Sequence, residues 1–585
     1  MSTLTAPVNH PTPFALGIPE ILENIFEYCR ERSNRRSNVL VCKTWLDPCL
    51  NVIWRELNDL TDLVRLLGPT TTKGMVLEFV QEDVPLNWDR FLFYARRVRK
   101  IYQEGQDAQM YPKYALESVF AHIAYQRPSN ILELCPNLKV LEWCGDTHYH
   151  MINPSILFMG PSLERYILNE DKPSRIHLAF VLRAVADRCP NLKHMKLSLQ
   201  EAANPSYVDI IRKFIENMRV LHSVDLPPFA DMSSLISTLR DYQPGLRNLR
   251  IQGCYNVNGR VDKPRITSLA LPTPSSNGFA SLTLINIFAP YAVVKELLEN
   301  GLPFLQQISV TSDLRVPEAP SAVKSLIETL AKECPRINRV YLSYDYLRAR
   351  EYVRLPHADS IVAMDHIRPL LKCTKMRHFD FRHPFPITLD DISAEEIATS
   401  WPELLQLHLS NDRAQAVFHL AKDRKYCLTL RALLSFARHC PHLTRLSLFF
   451  APRSSTCPTP ADIQTLPAPF FSKLRGLNVG TSLLYERDKH QVAQTLSRIL
   501  PAPSDLLFDE YTIADEVDDA DSNTDEEESA IPLGSDGWSS VMCIISFMRW
   551  VDKATKLEQH DLRSQNQELE AENERPRTQI QHFHA

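Results

Sequence analysis

Glycine is scarce in this chain, with 15 residues in 585 against 41 prolines. Typical usage is about 7% Gly and about 5% Pro, so the usual order is reversed. Sites that grip nucleotide phosphates bring the backbone close with glycine. The sequence holds no Gly-rich phosphate loop, no Gly-x-Ser-x-Gly and no His-Glu-x-x-His, so neither an enzyme nor a bound cofactor is expected. Paired cysteine motifs are also missing. Thirteen is an odd number and no Cys-x-x-Cys occurs, which argues against a disulfide framework or a zinc site and for a reducing compartment, cytoplasm and/or nucleus. The nineteen His are scattered. His148 and His150 flank Tyr149, and His582 and His584 flank Phe583, but neither pair has further ligands nearby, and both are read as surface with no metal. A signal-peptide core is absent from the polar, Pro-rich stretch Met1 to Pro13. The longest apolar run, Val541 to Val551, is broken by Ser546 and Arg549, well short of the roughly 20 residues a bilayer requires. A formal net charge of −5 argues against nucleic acid or a membrane as general partner.

What is present is a recurring phrase. Cys135-Pro136-Asn137-Leu138-Lys139-Val140-Leu141-Glu142-Trp143 returns from Cys189-Pro190, Cys334-Pro335 and Cys440-Pro441, with weaker copies from Gly160-Pro161, Gln243-Pro244, Lys263-Pro264, Leu302-Pro303, Cys373-Thr374, Trp401-Pro402 and Ser472-Lys473. The shared skeleton is Leu-x-x-Leu-x-Leu. Its lead apolar residues, from Leu138 to Leu474, lie from 16 (266 to 282) to 39 (337 to 376) residues apart. This is the pattern of degenerate leucine-rich repeats. Amphipathic segments precede several copies, such as Val323, Leu326, Ile327 and Leu330 before Cys334. Each unit therefore reads as helix, turn and short strand. The proline ends the helix by pushing its predecessor out of the α region, and the cysteine before it reads as a small buried side chain, not a ligand.

One unit cannot hide its apolar face, so the units are expected to stack into an α/β solenoid of parallel strands with helices behind. The residue between the last two apolar positions of each skeleton points out of the sheet. In order these are Glu142, Ile167, Lys196, Asp225, Arg250, Ala270, Asn286, Ser309, Tyr341, Asp380, His408, Ser447 and Asn478. They are expected to line the concave face. The row is mixed in charge and lacks the Lys/Arg and aromatic run of a nucleic-acid groove. It suits a protein target, with Glu142, Lys196, Asp225, Arg250, Asn286, Tyr341, Asp380, His408 and Asn478 as candidate substrate-binding residues.

The N-terminal stretch Leu16 to Leu57 differs in kind. It reads as three short helices. Pro19 suits a first helical position; Ile18, Ile21, Leu22, Ile25 and Phe26 share a face; Asn34 can cap a second helix carrying Val41, Cys42, Trp45 and Leu46; Asp47-Pro48 opens a third with Leu50, Ile53, Trp54 and Leu57. Three helices this short cannot bury so much apolar surface among themselves, and an apolar remainder marks a partner site. The opening Leu16-Gly17-Ile18-Pro19-Glu20-Ile21-Leu22-Glu23-Asn24-Ile25-Phe26, the core Val41-Cys42-Lys43-Thr44-Trp45 and the closing Trp54 resemble an F-box. The whole is similar to the repeat-bearing F-box families of fungi. Asn34 stands where that family usually has Asp, and Arg35 and Asn38 where apolar residues are common.

What the resemblance implies is a substrate receptor. The F-box docks a Skp-family adaptor and through it a cullin and a RING subunit, while the solenoid holds a target protein. The implied adaptor-binding residues are Leu16, Ile18, Pro19, Ile21, Leu22, Ile25, Phe26, Val41, Trp45 and Trp54, some of which must be core instead. Cys42 and Lys43 are assigned to the helical core. The alternative is a non-catalytic scaffold bound to the adaptor without a role in ubiquitination.

The expected order is a disordered N-terminus over 1–13, the F-box over 14–60, a helical connection over 61–94, the solenoid over 95–500, an acidic disordered linker over 501–537, and an amphipathic C-terminal helix over 538–585. The linker carries Asp505, Asp509, Glu510, Asp515, Glu516 and a further run to Glu528, a charge block that repels itself. Near Ala95 to Ile101 a first strand is expected, with its Arg cluster solvated. Leu562 and Leu569 lie one heptad apart, and Pro576 is expected to end the last helix.

Overall fold

The computed structural model describes residues 17–29, 37–74, 76–80, 85–103, 117–145, 153–170, 173–199, 205–251, 266–269, 279–312, 318–344, 361–383, 387–410, 427–467, 470–480, 482, 484–501, 505–508 and 535–583. The N-terminus over 1–13, Leu16, Asn34, Ala270, most of the acidic stretch and the His148–His150 group lie outside the described residues. The chain divides into two units, Met1–Phe288 and Ala289–Ala585.

In the first unit, parallel strands follow one another as Glu56–Leu57, Lys100–Gln103, Val140–Gly145, Arg165–Glu170, His194–Leu199, Ser223–Leu226, Asn248–Ile251 and Leu284–Phe288. The second unit repeats the scheme with Gln307–Ser312, Arg339–Tyr344, His378–Arg382, Gln406–Ser410, Arg445–Leu448, Gly476–Asn478 and Asp505–Leu507. Helices such as Arg175–Arg188, Pro320–Glu333 and Asp391–Ser400 run between strands. This is the α/β, leucine-rich-repeat-like arrangement of helix, turn and parallel strand.

The repeated phrase explains the geometry. Cys189, Gln243, Cys334, Trp401 and Cys440 each end a helix with φ between −117° and −125° and ψ between 63° and 70°. All five precede a proline, which keeps them out of the α region. Three residues on, the lead apolar residue donates its N–H back to the same position, as in Leu192 to Cys189 O (3.1 Å), Leu246 to Gln243 O (3.1 Å) and Ile337 to Cys334 O (3.0 Å). The lead residue and its two skeleton partners are then buried, as with Ile337, Val340 and Leu342; each such side chain is worth roughly 1.5–3 kcal/mol when fully buried. The repeat cysteines are buried too, and burial pushes the thiols of Cys189, Cys334 and Cys440 up to about 12. Where Gln243 replaces cysteine, its amide donates to Ile215 O and Met218 O and accepts from Leu221 N, all at 2.9 Å. One buried side chain thereby satisfies three backbone groups of the preceding turn.

Several expectations are corrected. The Lys263-Pro264 copy adds no rung: the strand of Arg250 pairs directly with that of Asn286, and in the described part of the copy Ser268 forms an isolated bridge with Asp231. The 16 residues from Ile266 to Leu282 are too few for helix, turn and strand, since leucine-rich repeats run about 20–29 residues. The sheet begins at Glu56–Leu57, which pairs with Lys100 and Ile101, not near residue 95. It ends at Asp505–Leu507, inside the stretch read as linker, because Leu506 is buried there. The connection over 61–94 is not purely helical: Thr70–Lys73 and Val76–Phe79 form an antiparallel hairpin, turned at Gly74 with φ 61°.

Asp47-Pro48 does not open a new helix, since Lys43–Trp54 is continuous with Pro48 inside it. Proline there removes one backbone donor, and the buried Cys49, Leu50 and Val52 hold the helix together past it. The last helix runs Ser535–Phe583, through Pro576. It starts on the second unit, where Trp538 is fully buried and its Nε1 donates to Ser482 O at 2.8 Å. Arg549 donates to the carbonyls of Leu500 (3.1 Å) and Pro501 (3.3 Å) at the end of helix Lys489–Ile499. From Val551 to Glu570 every residue is exposed.

Candidate functional site

Two surfaces are candidates, one on the N-terminal helices and one on the sheet. Helix Pro19–Tyr28 lies against helix Lys43–Trp54. Pro19 begins the first helix as its fixed φ favours. Leu22 and Phe26 pack with Cys49 and Val52, flanked by Val39 and Trp45. The Trp45 ring meets Phe26 edge-on at 5.2 Å. A polar chain fixes the pair. Glu23 accepts from Asn51 Nδ2 and from Arg55, both at 2.7 Å, and Arg55 also pairs with Glu27. Arg97 then donates to Asn51 Oδ1 (2.7 Å) and Asp47 Oδ1 (2.6 Å), with its guanidinium 4.7 Å from the Phe93 ring centroid. Arg97 is buried, so its place in a solvated basic cluster is corrected: its charge is spent on anchoring the helices beside the first strands.

Of the ten sequence-derived adaptor residues, Leu16 lies outside the described residues. Leu22 and Phe26 are core, and Trp54 is half-buried against Tyr94, with ring centroids 4.8 Å apart; these three are withdrawn from the docking surface. Ile18 and Trp45 are half-buried and Pro19 is exposed. The accessible apolar side chains are Ile21 (37% exposed), Ile25 (42%) and Val41 (59%). Sequence reasoning missed Leu40 (86%) and Tyr28 (87%) as members of this face. For Leu40 the signal was present, because it adjoins Val41 just ahead of the second helix. Cys42 and Lys43 are exposed at that helix's start, which corrects their assignment to the core.

The second surface is the outward face of the parallel strands. In the first unit the pairing runs Glu142, Ile167, Lys196, Asp225, Arg250, Asn286 without a slip. In the second it runs Ser309, Tyr341, Asp380, His408, Ser447, Asn478. The residues expected to share one face are thus brought side by side within each unit, Ala270 apart. Lys196 and Arg250 are exposed, while Glu142, Asp225 and Asn286 are half-buried. Burial raises the Asp225 carboxyl to about 6 despite the flanking Lys196 and Arg250 cations. Burial also lowers the His408 imidazole to about 4, with the nearby Asp380 opposing. Arg382 holds Asp380 through both carboxylate oxygens, at 3.0 and 3.2 Å. Among the described residues no group of three His, Cys, Asp or Glu is placed to hold a metal. No described helix is long and apolar enough to cross a membrane.

The class these features define is an α/β repeat protein of parallel strands and helices, with a helical pair packed beside its first strands. No protein-family model and no curated protein matches the chain. Among solved structures it is similar to one described as the crystal structure of Rad7 and Elc1 complex in yeast, at 16% identity and a TM-score of 0.31, covering 60% of this chain and 82% of that one.

Proposed function

We propose that this chain is the substrate-recognition subunit of an SCF-type cullin–RING ubiquitin ligase. Its N-terminal helices dock a Skp-family adaptor, which links it to a cullin and a RING subunit, and its sheet face holds a target protein. The chain supplies proximity and orientation while its partners supply the chemistry. The observation that carries this reading is that four apolar side chains of the N-terminal module, Ile21, Ile25, Leu40 and Val41, stay exposed although the core of Leu22, Phe26, Cys49 and Val52 is closed. Exposed apolar side chains on an anchored helix and on the turn before its partner helix mark a protein partner. The F-box resemblance of the same residues names which partner it is.

The test is affinity purification of the intact chain beside a Pro19→Ala, Ile21→Asp variant. Adaptor and cullin are expected with the intact chain and lost from the variant, while proteins held by the sheet face remain with both. Adaptor without cullin would favour the scaffold alternative. Undiminished capture of adaptor by the variant contradicts the reading.

A further inference from the structure

The second unit carries a cleft of about 860 Å³ on its outward sheet face. Two of its lining groups are incomplete. Ser447 is 5% exposed, and its Oγ has no hydrogen-bond partner among the described residues. The buried Nδ1 of His378 likewise has none. A buried polar atom without a partner has lost its water and gained nothing in return, so a ligand that supplies a partner is favoured. The charge around the cleft is also unbalanced. Arg382 is matched by Asp380, but Arg445 and Arg475, which line the cleft, and Arg339, which flanks it beside His378, are exposed and make no ion pair among the described residues. Asp505 at the far edge is the one further acid lining the cleft among the described residues.

The spacing of those arginines selects the ligand. Register places Arg339 beside His378, then Gln406, then Arg445, three steps of about 4.8 Å, or about 14 Å. Arg475 precedes Gly476, the next rung, and extends the row to about 19 Å. One phosphate cannot meet cations so far apart, whereas a row of separate anionic groups can. An extended peptide covers that span with about six residues. The mixed Arg and Asp lining, with Tyr341 as its one half-buried Tyr, Phe or Trp ring, lacks the cation run and stacking platforms of a nucleic-acid groove, whereas a peptide can set neutral residues between its carboxylates, opposite Asp380 and Asp505.

We propose that this cleft binds an extended, carboxylate-rich peptide, the acidic segment of a target protein laid across the strands. The inference rests on the sheet face being the target-binding surface and deepens that reading; it does not depend on the adaptor.

The test is fluorescence anisotropy of the full chain with a fluorescein-labelled peptide of about ten residues alternating Glu and Ser, long enough to span the row. The Glu peptide is expected to bind and its Gln counterpart to bind at least tenfold more weakly. Arg445→Glu with Arg475→Glu should reduce affinity at least tenfold at an unchanged melting temperature, and Arg445→Gln with Arg475→Gln serves if the charge reversal unfolds the unit. Equal binding of Glu and Gln peptides overturns the proposal. So does undiminished binding by a folded double variant. Binding of only a singly phosphorylated, otherwise neutral peptide, or of an oligothymidylate in place of the peptide, overturns it too. Adaptor capture by the same preparations separates the two readings. Peptide binding without adaptor leaves the cleft standing and removes the ligase assignment, and adaptor without peptide does the reverse.

Discussion

Truncating two of the exposed apolar side chains of the N-terminal module should separate docking from folding. Leu40 is 86% exposed and Ile25 42%. A full Leu or Ile side chain is worth roughly 1.5–3 kcal/mol on burial, so covering the exposed fractions of these two yields about 2–4 kcal/mol. Ile25→Ala with Leu40→Ala removes most of that, and each 1.4 kcal/mol is tenfold, so adaptor affinity should fall by about 30- to 700-fold. Neither side chain belongs to the buried cluster of Leu22, Phe26, Cys49 and Val52, and surface changes of this kind move stability by only about 0.5 kcal/mol. Calorimetric titration with a recombinant Skp-family adaptor reads the first quantity, and a melting scan of the same sample reads the second. Leu22→Ala is the control in the opposite sense, because emptying a fully buried site costs roughly 2–5 kcal/mol of folding stability. A folded Ile25→Ala, Leu40→Ala protein that binds adaptor as the parent does would refute the argument.

Further outcomes follow from buried polar and aromatic groups. Replacing Arg97 by Ala removes the donor to the half-buried Asn51 Oδ1, while Asp47, 71% exposed, turns to water; it should lower the melting temperature and loosen the N-terminal helices by roughly 1–3 kcal/mol, the cost of an unsatisfied acceptor, checked by chemical denaturation. Trp538→Ala should cost about 3–5 kcal/mol locally and free the start of the last helix from Ser482, read as new proteolytic cleavage near that residue. The two titrating rungs act in opposite senses. The Asp225 carboxyl rises from 3.8 to about 6 in the fold, so the folded state holds its proton longer and stability falls as pH climbs from about 4 to 6, by at most roughly 3 kcal/mol; Asp225→Asn should remove that decline. The His408 imidazole drops from 6.5 to about 4, so stability is lost as pH falls from about 6.5 to 4, and His408→Asn should flatten that acid limb in denaturation curves taken across pH.

The repeat architecture was legible because its signal is local. An X-Pro pair sets a helix end and the next three apolar residues fill one strand's inner face, so Cys189 to Leu197 predicts its own geometry without knowledge of the rest. The outward row could be read for the same reason, since strand alternation fixes which side each residue takes. What the sequence could not reveal depends on neighbours far along the chain. The Lys263-Pro264 phrase looks like a repeat, yet the strands of Arg250 and Asn286 pair directly and leave it no rung between them. Arg97 looks like one of a solvated cluster until Asn51 and Asp47, some fifty residues earlier, are brought against it. Asp505 reads as the first acid of a charged tract, but Leu506 beside it is buried as the strand pairs with Gly476–Asn478. In the N-terminal module the apolar stripe was evident, but its division into core and surface was not. Leu22 and Ile21 are adjacent and chemically alike, and only the position of Cys49 and Val52 sends one inward.

The central claim is that another polypeptide covers the exposed apolar side chains of the N-terminal module. Hydrogen exchange of the full chain, with and without a recombinant Skp-family adaptor, addresses it most directly. Slowed exchange over Pro19–Tyr28 and the segment around Leu40 and Val41, with the strands from Gln307 to Leu507 unchanged, is the predicted result. Unchanged exchange at the two helices, or a footprint on the strands in their place, contradicts it.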